Sequence, residues 1–277
     1  MINLEKFQQD GFLVIENLVS AEECNLLMQR GRELAASFDY SGHPSIFRTE
    51  EQSRVSDEYF LNSGGNISFF FEPDAFDNQG ELKQDLSLSL NKIGHALHDL
   101  DPVFAQFSRS EKLRELSAQL GMDDYLLIQS MLILKHARIG GLVDIHQDSS
   151  FLYTEPESCI GFWFALEDAT IENGCMWAKP GGHKRGLRSW FRRKNDGNGT
   201  EMHMLDEEEY SIEGMIPLEV SQGSCIVLHG LLPHYSLPNT SGKSRQAYAI
   251  HAIHHDAKYP EANWLRRDLS ELKGFSV

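Results

Sequence analysis

The chain has 277 residues and a mass of 31.5 kDa, enough to bury one large core. Hydrophobic residues make up 41% and charged residues 24%, which argues against extensive disorder. With 25 Lys and Arg against 41 Asp and Glu, the formal charge is −16, which disfavours nonspecific binding to nucleic acid or to anionic membranes. No apolar run approaches the ~20 residues that span a bilayer. The opening Met1-Ile2-Asn3-Leu4-Glu5-Lys6 lacks the charged-then-apolar pattern of a secretory signal. Cys24, Cys159, Cys175 and Cys225 are scattered without a CxxC pair. That usage suits a reduced cytoplasmic protein better than a disulfide scaffold or a thiolate zinc site.

Residues 3 to 9 begin amphipathically, Asp10-Gly11 breaks the pattern, and Phe12-Leu13-Val14-Ile15 reads as a short strand. Ser20 followed by Glu23 is a capping box, predicting a helix that carries Leu26, Leu27 and Leu34. Residues 40 to 66 are polar and bear Gly and Ser, as a loop does. Residues 84 to 99 space Leu86, Leu88, Leu90, Ile93, Ala96 and Leu97 mostly at helical intervals, and 110 to 119 predict a further helix.

The texture changes after Gly121. Tyr125 to Lys135, Cys159 to Leu166 and Cys225 to His229 read as buried strands. Gln246 to His254 alternates, with Tyr248, Ile250 and Ala252 on one face and Ala249, His251 and Ile253 on the other. A helical first half and a strand-rich second half predict an α+β fold, helices packed on an antiparallel barrel or sandwich. No linker, repeat or low-complexity stretch divides the chain, so residues 1–277 read as a single domain.

The twelve histidines carry the chemistry. In His146-Gln147-Asp148 an extended backbone would turn the imidazole and the carboxylate to the same side. A third ligand would complete the 2-His-1-carboxylate triad of non-haem Fe(II) oxygenases. The spacing alone is weak, because His254-His255-Asp256 repeats it and either pair fits a surface contact. The second constellation lies in residues 223 to 236, where both His229 and His234 are candidate ligands by pattern. A hairpin turning near Thr240-Ser241 would bring Ser236 beside Arg245 and His234 near Ala247. An arginine there would suit a carboxylate, which its planar fork binds bidentately. It would equally suit one of the chain's many acids.

Together, His146-x-Asp148, Asn173-Gly174-Cys175-Met176-Trp177-x-x-Pro180-Gly181-Gly182-His183, His234-x-Ser236-x-Pro238-Asn239 and Arg245 resemble the phytanoyl-CoA dioxygenase family of Fe(II)/2-oxoglutarate oxygenases. Phe7 to Val14, Asn91 to Leu97, Gln147 to Pro156 and Ser244 to Tyr248 extend the resemblance over nearly the whole chain. It implies a double-stranded β-helix, the jelly-roll or cupin-like core, with flanking helices. It implies His146, Asp148 and His234 as iron ligands and as the catalytic centre. It implies Arg245 as the partner of the distal carboxylate of 2-oxoglutarate, with Ser236 beside it and Trp163 on the cosubstrate wall. Lys92 and Met131 are implied as further cosubstrate contacts. The expected cofactors are Fe(II), 2-oxoglutarate as cosubstrate, and O2. The expected reaction is hydroxylation of a C–H bond in a small-molecule substrate, with release of succinate and CO2.

The competing reading is a jelly-roll ligand-binding or regulatory protein without productive oxidation. A zinc hydrolase on the same ligands would lack a placed general base. The remaining histidines have blander expectations: His229 for packing, His183 in a turn, and His251, His254 and His255 at the barrel end or surface, with the cavity as an alternative for His251. Residues 183–194 hold six Lys and Arg and no acid. They read as a solvated loop, or as an active-site lip that attracts an anionic substrate. Residues 40 to 80, with Phe69-Phe70-Phe71, line or cover the pocket, or else pack on the barrel.

Overall fold

The structure is a computed structural model and describes residues 2–40, 46, 58–196 and 199–276. Most of the expected loop at 40–66 falls outside those residues. Its described end forms a helical turn at Glu58–Leu61 and a 3-10 turn at Ser63–Gly65.

The sequence signals at the N-terminus are realised as local hydrogen bonds. The Asn3 side chain caps helix Leu4–Asp10, and Gly11 ends it at φ +83°, a left-handed conformation open to glycine. Helix Ala21–Ser37 starts on the expected capping box. The Glu23 amide donates to Ser20 Oγ (3.2 Å), and the Ser20 amide donates to Glu23 Oε2 (2.8 Å). Helix Glu111–Gln119 follows Ser110 as expected.

A seven-stranded antiparallel sheet runs in the order Phe12–Ile15, Cys225–His229, Ile160–Ala165, Ala247–His254, Tyr125–Ile133, Leu90–His95, Ile67–Phe71. A four-stranded sheet runs Ile216–Leu218, Met176–Ala178, His234–Ser236, Val143–His146. A separate hairpin pairs Ser189–Arg193 with Thr200–Met204. One face of the large sheet buries Phe162, Phe164, Tyr248 and Ile250 against the helices, including Leu27, Phe104 and Leu113. The other face turns Trp163, Ile226 and Ala249 toward Met176 and Ala178 of the small sheet. The alternation expected for 246–254 therefore divides the strand between two cores.

Two expectations are corrected. Residues 84–99 are not a helix: Leu90–His95 is a strand, flanked by single turns at Leu86–Ser89 and Leu97–Leu100. All six strand residues are buried, so no alternation of apolar and polar marks it, and its leucine spacing imitates a helix.

Nor do the strands on either side of residues 237–246 form a hairpin. Cys225–His229 and Ala247–His254 pair with opposite edges of Ile160–Ala165. The chain turns at Gly230, whose amide donates to Cys159 O (2.8 Å), and Pro233 follows. It then enters the small sheet, where His234 pairs with His146 and Ala178 rather than with Ala247. Among the described residues, no helix is long and apolar enough to cross a membrane.

Candidate active site

The two sheets face each other across a cavity of about 200 Å³. All eight residues singled out in the sequence line it: Lys92, Met131, His146, Asp148, Trp163, His234, Ser236 and Arg245. They arrive from different elements. His146 and His234 sit opposite each other on neighbouring strands of the small sheet, and Asp148 follows two residues after His146. Trp163, Met131 and Lys92 come from three strands of the large sheet.

His146, Asp148 and His234 bring one ligand atom each within 4.8 Å of one another. Asp148 Oδ1 stands 3.7 Å from each Nε2. His146 Nδ1 lies 2.8 Å from the Asp144 carbonyl oxygen, and His234 Nδ1 lies 2.9 Å from that of Leu232. A carbonyl only accepts, so each Nδ1 carries the hydrogen and each Nε2 keeps its lone pair for a metal. Two neutral imidazoles and a carboxylate are a donor set that fits a divalent iron. Burial alone would raise the Asp148 carboxyl, but His251, His234 and His146 around it hold it well below the usual carboxylate range.

Of the two places expected for His251, the barrel end or surface and the cavity, the structure has the cavity. It is buried, lines the cavity, and sets its Nε2 3.3 Å from Asp148 Oδ2. Its strand neighbour is Gly161, where a Cβ would stand 3.0 Å from Asp148 Oδ2. His229 packs against Phe7 and His183. The other His-x-Asp pair lies outside the cavity: His254 and His255 form a surface group with Asp124.

A second polar cluster closes the cavity away from the triad. Arg245 is buried, its Nε donates to the Gly174 carbonyl (3.1 Å), and its Nη2 reaches Ser236 Oγ at 3.5 Å. The guanidinium carbon lies 5.2 Å from the centre of the Trp163 ring. So Ser236 and Arg245 do meet, though Ser236 lies on the small sheet and Arg245 just before a strand of the large one.

Lys135 was missed at this point. Its Nζ donates to Ser236 Oγ (2.9 Å) and to the Gly141 carbonyl (2.7 Å). The Gly141 amide in turn donates to buried Glu72 (3.1 Å). Burial, and then the Arg245 charge, push the Lys135 pKa down to about 6. Burial likewise pushes Arg245 down to about 10 and raises Glu72. A Cβ on Gly174 would meet Lys135 Cε at 2.4 Å, so glycine there makes room for the lysine. The signal available in the sequence was a lone charge ending the otherwise uncharged, mostly apolar segment Tyr125 to Lys135.

Lys92 is buried with Nζ 5.5 Å from the Phe70 ring centre, and Met131 packs beside Gly94. Phe70 faces the cavity, whereas Phe69 and Phe71 belong to the main core. Phe60, Phe151, Phe191 and Trp264 add an aromatic wall.

The basic segment is largely paired with local acids and carbonyls. Arg185 bonds Glu208, Arg188 lies 3.4 Å from Asp206, and Arg192 lies 2.8 Å from Glu201. Arg193 donates to the carbonyls of Leu61 and Trp264.

The profile of the phytanoyl-CoA dioxygenase family matches residues 7–247. The chain is 44% identical over 265 residues to phytanoyl-CoA dioxygenase of Arabidopsis thaliana, covering 95% of this chain and 92% of that protein. It is 41% identical over 271 residues to phytanoyl-CoA dioxygenase domain-containing protein 1 of Bos taurus, covering 95% and 93%. Among solved structures, the epimerase SnoN in complex with Fe3+, alpha ketoglutarate and nogalamycin RO superposes with a TM-score of 0.64 at 14% identity, covering 93% of this chain and 84% of that one. At that identity the superposition speaks to the fold, a jelly roll. The family match over most of the chain and the close relatives over nearly all of it fix the assignment: the chain belongs to the phytanoyl-CoA dioxygenase family.

Proposed function

We propose that this single domain, residues 1–277, is an Fe(II)- and 2-oxoglutarate-dependent dioxygenase that hydroxylates a C–H bond of a small molecule. The observation that carries the reading is the convergence of His146, Asp148 and His234 on one point of the cavity, with Arg245 and Ser236 on its wall. Bound iron and 2-oxoglutarate supply the oxidising chemistry, with O2 consumed and succinate and CO2 released.

The residues of this chain do the rest. His146, Asp148 and His234 would hold the metal, two neutral imidazoles and a carboxylate being a donor set suited to Fe(II). Arg245, Ser236 and Lys135 take the distal carboxylate of the cosubstrate, and Trp163, Met131 and Lys92 line its bed. The two cations suit that carboxylate because a buried charge without an anion is costly. The aromatic wall excludes water and seats the apolar part of the substrate. The four cysteines are buried free thiols, which supports a cytoplasmic setting.

Asp148→Ala is the test. Wild-type protein with added Fe(II) should convert 2-oxoglutarate to succinate, and the variant should not. Near-wild-type release of CO2 from Asp148→Ala refutes the triad. No turnover by the wild type, with 2-oxoglutarate still bound, favours the ligand-binding alternative.

A further inference from the structure

Gln147 stands between two proposed iron ligands, on extended backbone at φ −116° and ψ 135°. Its neighbours face the metal site, so its own side chain projects the other way, into protein. It is completely buried. A carboxamide can donate twice and accept twice, and here all four capacities are used. Nε2 donates to the carbonyls of Gly186 (2.8 Å) and Leu231 (2.7 Å). Oε1 accepts from the Arg188 amide (2.9 Å) and from the Tyr210 hydroxyl (3.1 Å).

The bond to Leu231 has a particular reach. The next residue, Leu232, supplies the carbonyl that orients His234 through Nδ1 at 2.9 Å. A backbone bond from the Ser149 amide to Gly230 O (3.0 Å) ties the same two segments together. One side chain thus joins the segment carrying His146 and Asp148 to the segment that aims His234.

We infer that Gln147 is a positioning residue for the metal centre, fixing the spacing of the three ligands through its clamp on Leu231. The inference rests on the iron-site reading above. An amide that only filled the core would, when replaced, cost stability and leave metal affinity alone. A positioning amide, when replaced, frees the Leu231–Leu232 segment to shift and so costs affinity directly. Outer partners of metal ligands typically cost about 10–100-fold in affinity when removed.

The experiment titrates Co(II) into the full chain and follows both affinity and visible absorption, which reports ligand geometry. It compares wild type with Gln147→Met, which keeps the length and loses the amide, and with Gln147→Asn, which keeps the amide and loses the reach. Leu113→Ala, a truncation in the main core outside the cavity, controls for lost stability. Both Gln147 variants should bind Co(II) roughly 10–100-fold more weakly with an altered spectrum. Leu113→Ala should melt earlier yet bind as wild type does. If Gln147→Met does not fold, Gln147→Asn decides alone. Wild-type affinity and spectrum in the Gln147 variants, or an equal loss in Leu113→Ala, overturns the inference. A wild-type protein that takes up no Co(II) overturns the iron-site reading itself, and this inference with it.

Discussion

Lys135 and Arg245 meet at a single hydroxyl: the ammonium lies 2.9 Å and the guanidinium 3.5 Å from Ser236 Oγ. Two buried basic groups sharing one neutral acceptor leave positive charge there poorly compensated, and burial pushes the lysine down to about 6. Glu72, linked to Lys135 through the peptide of Gly141, is the carboxylate nearest at hand. Such a pocket should take an anion, and the lysine should respond to its arrival.

The arginine predicts the first outcome. Arg245→Ala should weaken 2-oxoglutarate binding by roughly 2–3 kcal/mol, the worth of a charge-assisted hydrogen bond, or about 30–150-fold in Kd. Metal affinity should survive, because Arg245 touches none of the three ligands. Isothermal titration of Mn(II) into the metal-free protein, and of 2-oxoglutarate into the Mn(II)-loaded protein, measures the two affinities. An unchanged Kd for 2-oxoglutarate removes Arg245 from the cosubstrate site.

The lysine predicts a pH effect. Its folded pKa of about 6 lies below the ~10.4 of an unfolded lysine. The unfolded chain therefore holds more protons across that window, and stability should rise with pH through it. Lys135→Met should flatten that rise in denaturant titrations. Binding of an anion beside Lys135 should also draw a proton onto it near neutral pH. Calorimetry in buffers of different ionisation heat should show this uptake in wild type and not in Lys135→Met.

Glu157 predicts the opposite slope. Burial raises its carboxyl to about 7, against hydrogen bonds from Ser149 and from the Cys159 amide that lower it. A carboxyl raised in the folded state contributes stability below the unfolded value of ~4.3 and loses it as pH rises through the folded value. Glu157→Gln keeps an acceptor for both donors and cannot ionise. It should be more stable than wild type by on the order of 2 kcal/mol above neutrality, with the difference fading toward pH ~4. Equal pH profiles for the two proteins would remove Glu157 as the source of that slope.

Gly161 predicts a steric effect on the metal site. An alanine methyl there would stand 3.0 Å from Asp148 Oδ2 and 3.4 Å from His251 Cδ2. Gly161→Ala should cost about 1–3 kcal/mol of stability from overpacking. It should also weaken Co(II) binding about tenfold by displacing the carboxylate. Wild-type Co(II) affinity in Gly161→Ala would show that the carboxylate yields without cost.

Much of the architecture was legible in the sequence, for physical reasons that differ by element. The capping box at Ser20 and Glu23 and the apolar runs at Tyr125 and Cys225 are local signals, and each became the expected element. Leu90–His95 was not legible, because a strand buried on both faces loses the period of two that identifies strands. The proposed ligands were found through motif order rather than spacing. The false hairpin shows why: pairing in a jelly roll is set by strands far apart in the chain, and Ser236 of the small sheet meets Arg245 just before a strand of the large one. The roles of Lys135 and Gln147 escaped notice because they depend on partners that come from distant segments, and for His251 the sequence left the cavity and the barrel end as alternatives.

The division of labour between the sheets has a consequence for substrate choice. The proposed metal ligands belong to the small sheet and the segment following it, whereas Arg245 leads into a strand of the large one. The space between the two sheets then works as a caliper for the cosubstrate. One jaw would grip the 2-oxo end and the other the far carboxylate. Sheet packing is stiff, because interiors are close-packed. A diacid one carbon shorter or longer than 2-oxoglutarate should therefore be refused by length, even though it carries the same two charged ends.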